Sequence, residues 1–401
     1  MRSLGINNRG KIFIFLLNPF ISAVTSLWNI RDGFSHKLLY CWFIIFGIGF
    51  CAVDESADSF RYVEDFYRES NYTWNQYVNE INYWLTFEGD TKDVYTLTVN
   101  FLVGRFSNNY HWTYLIYAVV FGFFYIKSLK IFLKYTTKND LVFYILLFLF
   151  CYSNPISNIN GVRFYTSAWI GTYVGLQLFV ENNKKCLPLL ILMPIIHGSS
   201  VIWAFLLAIA WFSRYFQILW IVLFVLSSFV SAISYLPLMN GFSDMLPQFM
   251  QNQIWAYTES EMALERMEGH SYYGAAYAQF LIALPGYFSL LMSYLLIFNR
   301  KKINITTSRK TLFTIFLSLA ATTNFLSSIP SVGRFRTMVI PLMIIVWMQN
   351  REALKKLDWV IKIIPFIYAY SLLQWFRLMV SVTEMSLYIL PAPITAFKYL
   401  I

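Results

Sequence analysis

Arg163 stands in the string Asn160-Gly161-Val162-Arg163-Phe164-Tyr165-Thr166-Ser167-Ala168 at the head of an apolar run, and Ser167, Gly171 and Gly175 follow it at four-residue spacing. Small residues so spaced mark a helix face packed on neighbouring helices. Arg163 heads that stripe and should therefore point into a helix bundle near one end. A guanidinium at a helix N-terminus suits an anion with several oxygens, because its fork of donors and the helix dipole both favour negative charge. A lipid-linked phosphate or pyrophosphate is the natural ligand. Arg334 and Arg336, in Gly333-Arg334-Phe335-Arg336, open a later apolar run. Two residues apart on an α-helix they point about 200° apart, so either the run starts unwound or only one of them faces a given site. Arg61 and Arg105 are weaker candidates for the same anion, since acidic neighbours could hold each in a structural salt bridge.

Transfer to a sugar hydroxyl also needs a base. His197, in His197-Gly198-Ser199-Ser200, interrupts an apolar run where its ring could deprotonate or position a hydroxyl. Asp58, Glu259, Glu261, Glu265 and His270 lie in polar segments and could supply the same function. Glu261 and Glu265, four residues apart, read more simply as a solvated helix face, and a lone histidine as a satisfied structural donor. No Gly-x-Ser-x-Gly, Walker loop, His-Glu-x-x-His or Asp-x-Asp is present, which disfavours a cytoplasmic nucleotide-driven enzyme. Neither a cofactor nor a metal is expected. Cys41, Cys51, Cys151 and Cys186 lack zinc-site spacing and should be free thiols.

The elements that must hold these residues are membrane helices. Of 401 residues, 58% are apolar and 13% charged, with 38 Phe, 28 Tyr and 13 Trp, proportions that exclude disorder and an ordinary soluble domain. Runs long enough to cross a bilayer begin near Leu38, Trp112, Leu141, Val162, Phe216, Ala275, Leu312, Phe335 and Trp359. The run from Cys186 to Phe212 is long for one span and short for two, and reads as a hairpin of two short helices turning at His197. With Ile12 to Trp28, the expectation is an all-α polytopic integral membrane protein of about twelve helices, in a range of roughly 11–13. Asn18-Pro19 and the lack of a small-residue cleavage site argue that Ile12 to Trp28 is retained.

Charge sets the sides. Segments expected inside hold Arg31, Lys37, the Lys127 to Lys138 cluster, Lys184-Lys185, Arg214, Arg300 to Lys302 with Arg309-Lys310, and Arg351 to Lys362. They take 18 of the 31 basic residues and 5 of the 21 acidic ones, a strong positive-inside bias that explains the net charge of +10 without nucleic acid as partner. Reading Cys186 to Phe212 as one span would put Arg300 to Lys302 outside. One conflict remains, because alternation places Arg2, Arg9 and Lys11 outside unless the first segment dips into the inner interface. The whole chain 1–401 reads as a single membrane domain with two long outer segments, Asp54 to His111 and Leu236 to Gly274. In the first, Val94 to Phe106 is expected as a helix lying at the outer interface.

Four strings in order, Asp58-Ser59-Phe60-Arg61-Tyr62, Asn160-Gly161-Val162-Arg163, His197-Gly198-Ser199-Ser200 and Gly333-Arg334-Phe335-Arg336, resemble the Wzy-type polymerases of O-antigen and exopolysaccharide, in their EpsG-like branch. The resemblance covers about Asp54 to Met348, and departs from the family's pattern at Phe164 and Tyr165, where polar and small residues are usual. It implies a metal-independent inner-membrane glycosyltransferase, of the multi-span class that uses lipid-linked sugars at the outer face. Such an enzyme transfers a growing glycan from polyprenyl (undecaprenyl) pyrophosphate onto a lipid-linked repeat unit. On that reading Arg163 with Arg334 or Arg336 holds the donor pyrophosphate, Arg61 and Arg105 are secondary, and His197 or Asp58 orients or deprotonates the acceptor. Membrane lipid and a chain-length regulator are candidate partners. The competing readings are a lipid-linked oligosaccharide flippase, an O-antigen ligase with another acceptor, and an acyltransferase through His197.

Overall fold

The computed structural model describes residues 6–52, 58–86, 94–135, 139–229, 251, 276–303, 306–326 and 332–401. Apart from Gln251, the second outer segment, with Glu259, Glu261, Glu265 and His270, lies outside the described residues. Taken in order, the helices of eight residues or more are α1 (Asn8–Leu17), α2 (Pro19–Trp28), α3 (Gly33–Ile48), α4 (Asp58–Glu69), α5 (Trp74–Thr86), α6 (Tyr95–Val103), α7 (His111–Lys134), α8 (Leu141–Tyr152) and α9 (Val162–Phe179). They continue with α10 (Leu189–Ile196), α11 (Val201–Phe212), α12 (Gln217–Ser227), α13 (Ala276–Phe298), α14 (Thr307–Leu326), α15 (Arg336–Gln349), α16 (Ile364–Val382) and α17 (Ala392–Leu400). Among the described residues the β-structure amounts to one isolated bridge, Phe50 to Thr383. Apolar backbone without water must satisfy its own polar groups, which helices do within one segment.

The chain is an all-α, membrane-embedded protein. His111–Lys134, Leu141–Phe179 and Tyr277–Phe298 are long and apolar enough to cross a bilayer, and Arg351–Lys362 with Ile364–Val380 make a fourth crossing if that pair, bent by 47°, is one span. Five shorter apolar helices accompany them, so twelve crossings are not established among the described residues. Polar breaks account for the shorter pieces. The Leu141–Phe179 stretch turns at Ser153 to Gly161 and folds back. Trp169 donates to the Asn154 carbonyl at 3.0 Å and packs on Phe150 at 5.8 Å. One continuous helix would hold Phe150 and Trp169 about 28 Å apart.

The first segment folds back as well. Asn18 breaks it, with φ −156° between α1 and α2, and its side chain caps α2 at the Ile21 amide, 2.9 Å away. Lys11 then pairs with Asp32 at 2.6 Å, although a straight helix would carry residues 11 and 28 about 25 Å apart. Lys11 thus returns to the level of Asp32, the arrangement expected of a first segment that dips into one interface.

The Cys186 to Phe212 run is the hairpin that its length suggested. Going down α10, Cys186 approaches the Val174 carbonyl, and Met193 approaches Ser167 and Gly171. Going up α11, Ser200 meets Ser167, Trp203 meets Gly171 and Leu207 meets Gly175. One helix therefore runs against α9 and the other with it. The small-residue stripe makes this possible, since a Cβ on Gly171 would lie 2.6 Å from the Trp203 ring.

Charged ends sort as alternation requires. Lys134 pairs with Glu181 at 2.5 Å, and Arg351 pairs with Asp140 at 2.5 Å and Asp358 at 3.3 Å, so the ends of α7 and α9 meet and the start of α8 lies beside the end of α15. Asp140 also caps α8 at the Phe143 amide, 2.9 Å away. All four cysteines are free thiols.

Candidate functional site

Asp58 opens α4, and Tyr62 follows one turn later on the same face. Asp58 is ion-paired with Arg61, whose side chain is 68% exposed, a surface pair worth about 0–1 kcal/mol. Across from α4, a 3₁₀ turn, Ile156–Gly161, leads into α9. Asn154 fixes that turn by donating to the Tyr165 carbonyl at 2.9 Å and accepting from Asn158 at 2.9 Å. Arg163 leaves the head of α9 towards α4, where its Nε donates to the Tyr62 hydroxyl at 3.2 Å and its guanidinium lies 5.1 Å from the centre of the Tyr62 ring. A Cβ on Gly161 would lie 3.2 Å from the Tyr165 ring and 3.9 Å from Asp58 Oδ2.

Phe335 decides where the late arginines go. It is 2% exposed and sits edge-on to Phe164 at 5.4 Å and nearly parallel to Trp203 at 6.2 Å. The residues before it form a second 3₁₀ turn, Val332–Phe335, so this helix start is unwound from α geometry. Arg334 stands on it, exposed, whereas Arg336 turns to Gly286 on α13. Phe164 also packs edge-on to His197 at 5.7 Å. The residue that departs from the family's pattern thus joins three of the four motifs.

The structure accordingly brings Asp58, Arg61, Arg163, His197 and Arg334 to one end of the bundle, and it separates Arg336 and Arg105 from them. Arg105 donates to the Ser70 and Tyr72 carbonyls at 2.6 and 2.9 Å and lies 4.4 Å over the Phe101 ring. It closes the turn between α4 and α5. Of Val94 to Phe106, Tyr95–Val103 forms α6, most of whose side chains are buried. Tyr62, Tyr165 and Asn154 belong to the site and were not singled out by sequence; Tyr62 could have been found from its place one helical turn after Asp58. Among the described residues, no three His, Cys, Asp or Glu side chains gather as a metal site.

The far end of α4 is anchored by Glu69, 8% exposed, which accepts from Asn100 at 2.8 Å and pairs with Arg68 at 3.3 Å. Burial pushes this carboxyl up to about 7, against the pull of the Asn100 hydrogen bond, with Asp65 raising it and Arg68 lowering it. Because the folded value lies above that of the unfolded chain, the protonated form is favoured by folding. Its stabilisation is whole below the ordinary carboxylate range and is lost as pH rises through 7. Glu69→Gln should therefore melt like wild type near pH 4.5 and be the more stable protein at pH 8.5, by up to about 3 kcal/mol. Thermal unfolding in detergent at the two pH values checks this.

These features define a helical membrane protein with an arginine and carboxylate cluster at the end of the bundle opposite Lys134 and Arg351. Residues 13–391 match the EpsG family, and the chain belongs to it. Membership gives it a polymerase-type function in polysaccharide biosynthesis. No curated protein and no solved structure matches the chain.

Proposed function

We propose that the chain polymerises a surface polysaccharide, O-antigen, capsule or exopolysaccharide, at the outer face of the inner membrane. It transfers a growing glycan from its polyprenyl pyrophosphate carrier to the non-reducing end of a lipid-linked repeat unit. The acceptor hydroxyl oxygen bonds to the anomeric carbon as the bond from that carbon to the pyrophosphate oxygen breaks. The electron pair leaves with the polyprenyl pyrophosphate, and Arg163 and Arg334 stabilise the charge that develops there. The hydroxyl proton passes to Asp58 and on to water, while His197 orients the acceptor. The reading is carried by one juxtaposition: Arg163 donates to the Tyr62 hydroxyl one turn from Asp58, and Gly161, two residues before Arg163, lies beside the Asp58 carboxylate. A chain-length regulator is the candidate protein partner.

The test is the size distribution of lipid-linked glycan in a strain deleted for this gene and complemented with it. Loss of long chains, with single repeat units still exported and attached, is expected. Accumulation of undecorated lipid-linked units on the inner face would replace polymerisation by export.

A further inference from the structure

At the Lys134 end of the bundle, opposite Asp58 and Arg163, two turns meet on one indole. The turn from α9 to α10 brings Lys184, whose Nζ lies 5.5 Å from the centre of the Trp211 ring. The turn from α11 to α12 brings Arg214, whose guanidinium lies 4.1 Å from the same ring and 4.6 Å from that of Tyr215, with Nη1 donating to the Trp211 carbonyl. Both turns are fixed from within. Asn183 donates to the Gln177 side chain at 2.8 Å and accepts from the Lys185 amide at 3.1 Å. Ser213 donates to the Ile209 carbonyl at 2.5 Å and accepts from the Trp220 indole at 2.9 Å. Two like charges held against one ring repel each other, and more strongly where hydrocarbon lowers the dielectric. No carboxylate answers them. Among the described residues Lys184, Lys185 and Arg214 form no ion pair, and Glu181, the acid of the first turn, is occupied by Lys134 at 2.5 Å and the Tyr135 hydroxyl at 3.2 Å. Next to these cations in the chain, Leu187, Phe212, Tyr215 and Phe216 are exposed. Cations beside exposed hydrocarbon at the end of a membrane bundle match a phosphate that carries acyl chains.

We propose that the base of the hairpin formed by α10 and α11 binds the phosphate of an acidic phospholipid from the leaflet at that end. Lys184 and Arg214 hold phosphate oxygens, Lys185 adds charge, and the acyl chains lie against Phe212 and Phe216. A zwitterionic headgroup brings its own cation and finds no free carboxylate here, so the site selects net negative charge. Lys184 precedes α10 and Arg214 follows α11, so the bound phosphate ties together the two strands of chain that enter and leave the hairpin. His197 stands at the tip of that hairpin, and the lipid composition of the far leaflet thereby bears on how firmly it is held. The site is a structural lipid site, at the end of the bundle away from the arginine and carboxylate cluster.

Full-length protein in nanodiscs of equal parts phosphatidylcholine and phosphatidylglycerol, read by native mass spectrometry for retained lipid, tests this. Wild type should retain one phosphatidylglycerol over phosphatidylcholine by about tenfold, and Lys184→Gln with Arg214→Gln should retain the two lipids equally. Lys301→Gln with Lys302→Gln removes as much charge from the turn after α13, at the same end, and should keep the wild-type preference. If the first pair of substitutions fails to fold, Lys184→Gln alone, at an exposed side chain, should lower the preference about threefold. A preference unchanged without Lys184 and Arg214, or lost equally without Lys301 and Lys302, overturns the site in favour of diffuse surface charge. Equal competition by glycerol 3-phosphate overturns the acyl chains as part of the ligand. Absence of any preference in wild type overturns the lipid, and retention of added polyglutamate would then assign the cations to an acidic protein. Lipid retention needs no glycan transfer, so this proposal and the polymerase reading can fail separately.

Discussion

Arg163→Ala, expressed at wild-type level in the deletion strain, should cut polymerised glycan by about 100-fold or more while single repeat units persist. That magnitude is what loss of one preorganised donor to a developing oxyanion typically costs. The substitution removes the guanidinium from the Tyr62 ring and hydroxyl but leaves the α9 stripe on α10 and α11 intact, so the protein should still fold. Arg163→Lys keeps the charge and loses the fork, and should retain an intermediate activity. Tyr62→Phe removes the oxygen that accepts from Nε but keeps the ring, and should lose about tenfold or less, the scale of a single hydrogen bond. Undiminished chain length in Arg163→Ala would remove the central residue from the mechanism.

Phe335→Ala should act through the fold. Its ring fills the space between Phe164 and Trp203, and truncation of such a buried aromatic costs about 3–5 kcal/mol. Thermal unfolding in detergent should show that loss, and glycan polymerisation should fall with it, because the 3₁₀ turn that aims Arg334 and Arg336 is pinned by this ring. Phe335→Leu refills most of the volume and should recover most of the stability. An unchanged melting profile for Phe335→Ala would mean that the turn is held by something other than the aromatic cluster.

Much of this arrangement is legible in residue types. Ser167, Gly171 and Gly175 announce a packed face because small side chains at helical spacing have little other use in an apolar helix, and the structure seats α10 and α11 on it. The Cys186 to Phe212 hairpin follows from run length and charge parity. The direction of Arg336 does not, because it depends on which way a buried Phe335 faces, a tertiary fact. Neither do the carbonyl contacts of Arg105, since backbone acceptors leave no trace in sequence. Tyr62 and Tyr165 are hidden among 28 tyrosines. Ile12 to Trp28 looks like a span by composition, its flanking basic residues raise the alternative of a dip into the interface, and the break at Asn18 with the meeting of Lys11 and Asp32 shows that it folds back.

The break in that first segment also orders events in time. The Asn18 amide, left without a helix of its own, donates to the Tyr388 carbonyl at 2.9 Å, across 370 residues of chain. Phe20 packs edge-on to the same tyrosine at 5.2 Å. When the ribosome has made α1 and α2, the group that will satisfy Asn18 does not yet exist. Lys11 can find Asp32 early, but the break at Asn18 is closed only after Tyr388 has been made.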